Sequence, residues 1–117
     1  VTVGQLSLEV FHTPGHYPDS VCYLLDGILF TGDTLFVGRT GRTVSNGSDT
    51  RHLYQSVYNI ILDLPGHTVI YPGHDYGPKM TISIDENIVL SPLLQAEDED
   101  DFVQRMADYE VERTFEN

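Results

Sequence analysis

The spacing of apolar residues in the first third of the chain is that of β-strands. Residues 6–11 alternate apolar and polar side chains, and two short apolar runs follow at residues 21–25 and 28–31. Asp26-Gly27 separates these two runs and is a dipeptide typical of a tight hairpin. A further apolar run covers residues 69–71. The pattern therefore predicts four strands, three of them ahead of residue 32.

Helical spacing predicts three helices, which follow a glycine-rich stretch at residues 32–47 that is predicted to be a long loop. Apolar residues recur three or four positions apart across 53–64 and 102–109, and a shorter helix fits residues 84–90. The predicted N-cap residues are Ser48 or Asp49, Ser83, and Asp98 or Glu99. This order predicts an α/β (α+β) fold with helices on one face of a sheet, whose other face needs a partner.

Charge and composition exclude several classes of partner. The 117 residues contain 6 Lys and Arg against 18 Asp and Glu, a formal net charge of −12. A nucleic-acid partner is not expected, because no basic cluster is present to neutralise phosphates. Membrane association is not expected either, because no apolar run approaches the roughly 18 residues of a membrane span. The single cysteine, Cys22, lies in an apolar run and is predicted to be a buried thiol, which favours a reducing, cytoplasmic location.

Candidate metal ligands occur in three segments that share one pattern, a strand end followed by a glycine-containing turn and a ligand-type side chain. The segments are His12-Thr-Pro-Gly-His16, Phe30-Thr-Gly-Asp33 and Ile70-Tyr-Pro-Gly-His74. Glycine allows close backbone approach, and strand ends hold side chains rigidly, as a metal site requires. Two imidazoles and a carboxylate suit Zn²⁺, Fe²⁺ or Mn²⁺. We therefore predict that His16, Asp33 and His74 converge at one edge of the sheet.

The other histidines are predicted to have no part in the metal site. Pro14-Gly15 excludes a helix that would pair His12 with His16 as ligands four residues apart, so His12 is assigned to a strand end. His52 is expected to face solvent on its helix, and His67 lies in a predicted turn.

Taken together, the motifs resemble the metallo-β-lactamase superfamily, in the branch that contains glyoxalase II (hydroxyacylglutathione hydrolase) and persulfide dioxygenase. The matching segments are HTPGH at 12–16, FTGDTLF at 30–36, GRT at 41–43 and YPGHDY at 71–76. The resemblance implies a four-layer αββα sandwich built from two similar halves. Residues 1–117 are predicted to be the C-terminal half of one such domain. The N-terminal half, which carries the family's His-x-His-x-Asp-His motif, is absent and is the expected partner.

The resemblance also implies a role for each site residue. His16 corresponds to a ligand of the first metal, Asp33 to the catalytic aspartate that bridges two metals, and His74 to a ligand of the second. Arg42 and Tyr76 correspond to substrate-binding residues near the glutathione moiety. Two Zn²⁺ ions are expected in the complete domain, with Fe²⁺ or Mn²⁺ as alternatives.

The function implied is hydrolysis of a thioester such as an S-acylglutathione by metal-bound hydroxide, with a small-molecule thiol or thioester as substrate. One alternative is a mononuclear iron persulfide dioxygenase, and another is that the isolated 117 residues are a non-catalytic half-domain. The segment Gly38-Arg39-Thr40-Gly41 departs from the Gly-Cys-Gly version usual in both enzymes, which bears on the thiol substrate. The stretch from Asp85 to Met106 resembles the short ending of persulfide dioxygenases, so the larger glutathione-binding helical domain of true glyoxalase II is not expected.

Overall fold

The computed structural model describes residues 2–3, 6–43, 47–73 and 80–116. These residues form a six-stranded sheet, a separate two-stranded hairpin, and helices. The strands are β1 (Thr2–Val3), β2 (Leu6–His12), β3 (Val21–Leu25), β4 (Ile28–Gly32), β5 (Leu35–Phe36), β6 (Arg39–Thr40), β7 (Val69–Pro72) and β8 (Ile82–Ser83). The helices are α1 (Thr50–Ser56) with a π-helical continuation (Val57–Ile61), α2 (Ile84–Leu90), a 3₁₀ turn (Pro92–Leu94) and α3 (Glu99–Glu116). The predicted α/β class is confirmed.

The predicted loop at residues 32–47 is wrong in part, because β5 and β6 form an antiparallel hairpin inside it. Three side-chain hydrogen bonds hold the hairpin in place, two of them with the distant Asn87. The Thr31 hydroxyl donates to the carbonyl of Leu35 at 2.6 Å. The buried Asn87 side chain donates to the carbonyl of Phe36 at 3.0 Å and accepts from the amide of Gly38 at 2.8 Å. A two-residue strand makes few backbone hydrogen bonds of its own. These side-chain contacts therefore stabilise the pairing of β5 with β6.

Strand direction brings three chain ends to one edge of the sheet. The strand order is β1-β2-β3-β4-β7-β8. β3 is antiparallel to both β2 and β4, and β7 is parallel to β4. Strands β2, β4 and β7 therefore run in the same direction, so their carboxyl ends lie at a common edge. The candidate ligand segments follow these three ends.

The helices begin at side chains that accept from free backbone amides, as the sequence predicts. The Asp49 carboxylate accepts from the amide of His52 at 3.0 Å, and the Ser83 hydroxyl accepts from the amide of Glu86 at 3.2 Å. The carboxylate of Asp98 accepts from the amide of Asp101 at 2.8 Å, at the start of α3. Each bond satisfies an amide that has no partner within its helix.

The core lies between one face of the sheet and the helices. Its fully buried sheet residues include Cys22, Leu29 and Ile70, and these pack in one cluster with residues of the helices. The helix residues of the cluster include Leu53, Val57, Ile61, Ile84, Phe102 and Met106. Within the described residues, no helix is long and apolar enough to cross a membrane.

The opposite face of the sheet carries a row of exposed apolar side chains, here named the open face. Val10, Tyr23, Phe30 and Tyr71 pair in register across β2, β3, β4 and β7. Their exposed fractions are 48%, 40%, 41% and 43%. The sequence predicts such an uncovered apolar face, and the described part of the chain has one. Contiguous apolar patches of this kind mark surfaces that are covered by another element or partner.

Candidate metal centre

His16 and Asp33 meet at the common edge of the sheet. Asp33 directly follows the end of β4, and His16 lies four residues beyond the end of β2. The imidazole Nε2 of His16 and the carboxylate Oδ2 of Asp33 are 4.0 Å apart. The exposed fractions of the two side chains are 17% and 41%, so the pair is reachable from solvent. Two of the three predicted ligands are thus brought together.

The orientation of His16 is fixed through its other ring nitrogen. Nδ1 lies 2.6 Å from the backbone carbonyl of Arg42. A carbonyl can only accept, so Nδ1 carries the proton and donates. In the neutral ring, Nε2 then holds a lone pair and faces Asp33. The backbone of His16 is fixed as well, because its carbonyl accepts from the Ser48 hydroxyl at 2.6 Å.

The carboxylate of Asp33 sits where two glycines admit close packing. A Cβ on Gly73 would lie 3.0 Å from Oδ1 of Asp33, and the Gly73 amide donates to the carbonyl of Gly32 at 2.7 Å. A Cβ on Gly41 would overlap the carbonyl oxygen of Asp33 and lie 3.2 Å from Cβ of His16. A side chain at Gly41 would displace the backbone of Asp33, and one at Gly73 would crowd the Asp33 carboxylate. The end of β7 therefore lies directly against the Asp33 carboxylate.

The donor set fits a divalent cation. A separation of 4.0 Å is too long for a hydrogen bond. Two ligands of one tetrahedral ion, with metal–ligand bonds of about 2 Å, lie about 3.3 Å apart, so a bound ion would draw these two atoms about 0.7 Å closer together. A neutral imidazole with Nδ1 bonded to a carbonyl is the usual state of a metal-ligating histidine. Among the described residues no group of three His, Cys, Asp or Glu side chains is placed to hold a metal. Further ligands would come from residues outside the described part of the chain.

Of the other predicted site residues, His74 and Tyr76 lie outside the described residues. Arg42 lies beside the pair, but its guanidinium contacts a carboxylate of the chain itself. Its Nε and Nη2 lie 2.9 and 2.8 Å from Oε2 of Glu110 on α3. The hydrogen bond to Glu110 raises the pKa of Arg42, so the guanidinium stays charged. The substrate-binding role of Arg42 stays a prediction.

The other three described histidines lie where the sequence predicts, at a strand end, on a helix and in a turn. His12 is exposed at the end of β2 and lies 2.7 Å from the carbonyl of Pro18 through Nε2. His52 and His67 are exposed. Cys22 is fully buried, and this burial raises the pKa of its thiol. Its environment is that of a core residue and not of a nucleophile.

Asn87 and Glu110 hold segments beside the His16–Asp33 pair and were not singled out by the sequence. Asn87 fixes the β5–β6 hairpin that leads to Gly41, and Glu110 holds Arg42 from a position 68 residues away in the chain. A lone asparagine in a short helix and a glutamate in an acidic helix carry no distinguishing pattern. Their roles depend on tertiary contacts.

Comparison with known proteins identifies a family. The profile of the metallo-beta-lactamase superfamily matches residues 1–74. Mouse mitochondrial persulfide dioxygenase is 36% identical over 96 residues, covering 80% of this chain and 38% of the relative. A probable polyketide biosynthesis zinc-dependent hydrolase of Bacillus velezensis is 35% identical over 100 residues, covering 86% and 44%. A probable hydroxyacylglutathione hydrolase of Schizosaccharomyces pombe is 38% identical over 78 residues, covering 63% and 30%.

The fold is also found among solved structures. The crystal structure of ETHE1 from Myxococcus xanthus superposes with a TM-score of 0.85 at 38% sequence identity. The match covers 93% of this chain and 48% of that one. The chain therefore spans less than half the length of the relatives it matches.

Proposed function

Because this chain belongs to the metallo-β-lactamase superfamily, we propose that the intact protein is a metal-dependent hydrolase of the glyoxalase II type. Its proposed substrate is a thioester such as an S-acylglutathione. The observation that carries the proposal is the His16–Asp33 pair, with Nε2 and Oδ2 4.0 Å apart at the sheet edge and Nδ1 already bonded to a carbonyl. Similarity to zinc-dependent and hydroxyacylglutathione hydrolases supports it.

The chain's own residues have distinct tasks in this proposal. His16 supplies a neutral nitrogen ligand, and Asp33 supplies a carboxylate that lowers the net charge of the bound ions. A divalent cation, when bound, lowers the pKa of a coordinated water and polarises a carbonyl. The 41% exposed carboxylate of Asp33 leaves room for substrate beside it. His74, one residue after Gly73, is proposed as a further ligand, and Tyr76 as a substrate contact.

Completion of the site is proposed to come from the rest of the intact protein. The Myxococcus xanthus structure extends over about twice the span that this chain matches, and the open face carries four apolar side chains that are 40–48% exposed. We propose that a second sheet with the missing ligands packs on the open face. The isolated 117 residues would then be a non-catalytic half-domain with two described ligands.

Persulfide dioxygenase activity with a single iron is the second candidate. The observation that favours it is the similarity to mouse persulfide dioxygenase, which covers 80% of this chain. Here His16 and Asp33 would join one histidine from outside these residues as a facial triad. His74 would not be a ligand.

Metal stoichiometry and substrate turnover of the intact protein separate the candidates. Two zinc ions per chain with release of free glutathione from S-lactoylglutathione support the hydrolase. One iron per chain with oxygen consumption on glutathione persulfide supports the dioxygenase. Neither metal nor turnover in the intact protein would refute both.

Substitution of the carboxylate tests the site itself. Asp33→Ala should abolish turnover and lower metal content, because neutral imidazoles alone do not balance the charge of the cations. Asp63→Ala is the matched control, since Asp63 is an exposed carboxylate beyond α1. Full metal occupancy and normal turnover in Asp33→Ala would remove Asp33 from the site.

A further inference from the structure

Arg42 is held at both its backbone and its side chain by groups that are far apart in sequence. Its carbonyl accepts from Nδ1 of His16 at 2.6 Å. Its guanidinium bonds to Glu110 at 2.9 and 2.8 Å through two nitrogens. The Glu110 side chain is 15% exposed and the Arg42 side chain 42%, so the carboxylate is shielded from solvent while the guanidinium is partly open to it.

The segment around Arg42 has further attachments to the same helix and to the ligand. Nη1 of Arg39 donates to the hydroxyl of Tyr109, adjacent to Glu110 on α3, at 3.2 Å. Gly41 lies between Asp33 and His16 so closely that a Cβ would meet both. The carbonyl of Arg42 is thus held in place by α3 on one side and by the ligand pair on the other.

We propose that Glu110 and Arg42 are positioning residues for the metal centre. Glu110 holds the guanidinium of Arg42, the carbonyl of Arg42 holds the Nδ1–H form of His16, and Nε2 is thereby directed at the metal beside Asp33. The inference rests on the proposed metal site and adds α3 to it as the element that orients a ligand. It also changes the role of Arg42, because a guanidinium bonded to Glu110 is not directed at substrate.

The positioning role depends on how firmly the carbonyl of Arg42, the acceptor for Nδ1 of His16, is held in place. A histidine that must bind through Nε2 is disordered by rotation about its side-chain bonds unless Nδ1 has a fixed acceptor. The carbonyl of Arg42 follows the last residues of the β5–β6 hairpin and lies outside any regular element, so the backbone alone fixes it less firmly than a strand or helix would. Two nitrogens of one guanidinium bonded to a shielded carboxylate fix the geometry of Arg42 as a lysine would not.

The test is Glu110→Gln in the intact protein, with Glu99→Gln as its matched control. Glu99 is on the same helix and bonds a different arginine, Arg51, at 2.7 Å, away from His16. Zinc affinity is measured by competition with a chromophoric chelator. Glu110→Gln should weaken zinc binding about tenfold, in the range found when outer partners of metal-ligating histidines are removed. Glu99→Gln should leave it within about twofold of the parent.

A second measurement reports His16 without any metal. In protein carrying ring-¹⁵N histidine, measured at about pH 9, well above the ordinary imidazole pKa of about 6.5, the metal-free parent should give the nitrogen shifts of a single Nδ1–H tautomer for His16. Glu110→Gln should give averaged shifts of both tautomers, and Glu99→Gln should not. A loss of stability alone would not change the tautomer in folded protein. If the parent binds no zinc, the proposed function fails, while the tautomer shifts still decide the positioning role.

Arg42→Ala completes the design. It should match Glu110→Gln in both measurements, and the double variant should lose little more, because the two residues act through one contact. If Arg42→Ala raises KM for the thioester but leaves the zinc affinity and the His16 tautomer unchanged, Arg42 contacts substrate and the proposal is overturned. The proposal is also overturned if Glu110→Gln behaves like Glu99→Gln in both measurements.

Discussion

Replacing Phe30 with serine should destabilise the intact protein by about 2 kcal/mol more than it destabilises the isolated 117 residues. Phe30 lies in the middle of the open face and is 41% exposed. A phenylalanine side chain presents roughly 200 Å², so about 80 Å² would be covered by the proposed second sheet, worth about 2 kcal/mol at 25 cal/mol per Å². The ring contact with Tyr71, with centroids 5.7 Å apart, is present in both contexts and cancels in the comparison.

The assay is urea unfolding of parent and variant in both contexts, at concentrations where sedimentation shows monomer. Val89→Ser is the control, since Val89 is 82% exposed on α2 and should cost the same in both. At higher concentration the isolated 117 residues should self-associate, bind metal weakly and catalyse nothing, and Phe30→Ser should reduce the self-association. Co-expression with the segment proposed to carry the second sheet should restore metal binding and turnover.

Two results would refute this reasoning. One is an equal cost of Phe30→Ser in the two contexts, because the open face would then have no cover in the intact protein. The other is an isolated 117-residue chain that stays monomeric at high concentration and hydrolyses a glutathione thioester.

Three further substitutions or conditions test the described site and core. Gly41→Ala should lower the free energy of unfolding by about 1–3 kcal/mol and weaken zinc binding, because its Cβ would overlap the carbonyl of Asp33. Urea unfolding measures the first effect and chelator competition the second. Asn87→Ala should cost about 2–3 kcal/mol in urea unfolding, because it leaves two backbone groups of the β5–β6 hairpin without their partner. Burial raises the pKa of Cys22, so the folded state keeps a proton that the unfolded state releases. Stability should therefore fall as pH rises above the ordinary thiol pKa of about 8.5, and a Cys22→Ala variant should lack that part of the decrease in a urea-midpoint series from pH 7 to pH 10.

The regular elements were predictable wherever their signal is local. β3 has the predicted bounds, and the predicted N-cap residues Asp49 and Ser83 accept from the expected backbone amides. Strand alternation and N-cap chemistry act over a few residues, so one sequence suffices to find them. The two-residue strands could not be found in this way. The length of β8 is set by its register with β7, and β5 depends on the distant Asn87.

The candidate site was likewise predictable only where its signal is local in sequence. The strand-end and glycine pattern identified His16 and Asp33, and the sheet topology explains why they meet. The pattern could not show which backbone group fixes Nδ1 of His16, since that acceptor belongs to Arg42, 26 residues along the chain. The contact from Arg42 to Glu110 depends on where α3 lies relative to the segment that holds Arg39 and Arg42. Neither residue type nor spacing encodes that placement.

The single parallel pairing in the described sheet has a consequence for the order of folding. β2, β3 and β4 are consecutive and form antiparallel pairs, so His16 and Asp33 can approach each other through local hairpins. β7 joins β4 only after the 36 residues between Gly32 and Val69 close into a loop. Closing such a loop costs about 3 kcal/mol of chain entropy before any contact offsets it. We therefore expect Gly73 to reach Asp33 late in folding. The His16–Asp33 pair should form first, before the segment that precedes His74 joins the sheet.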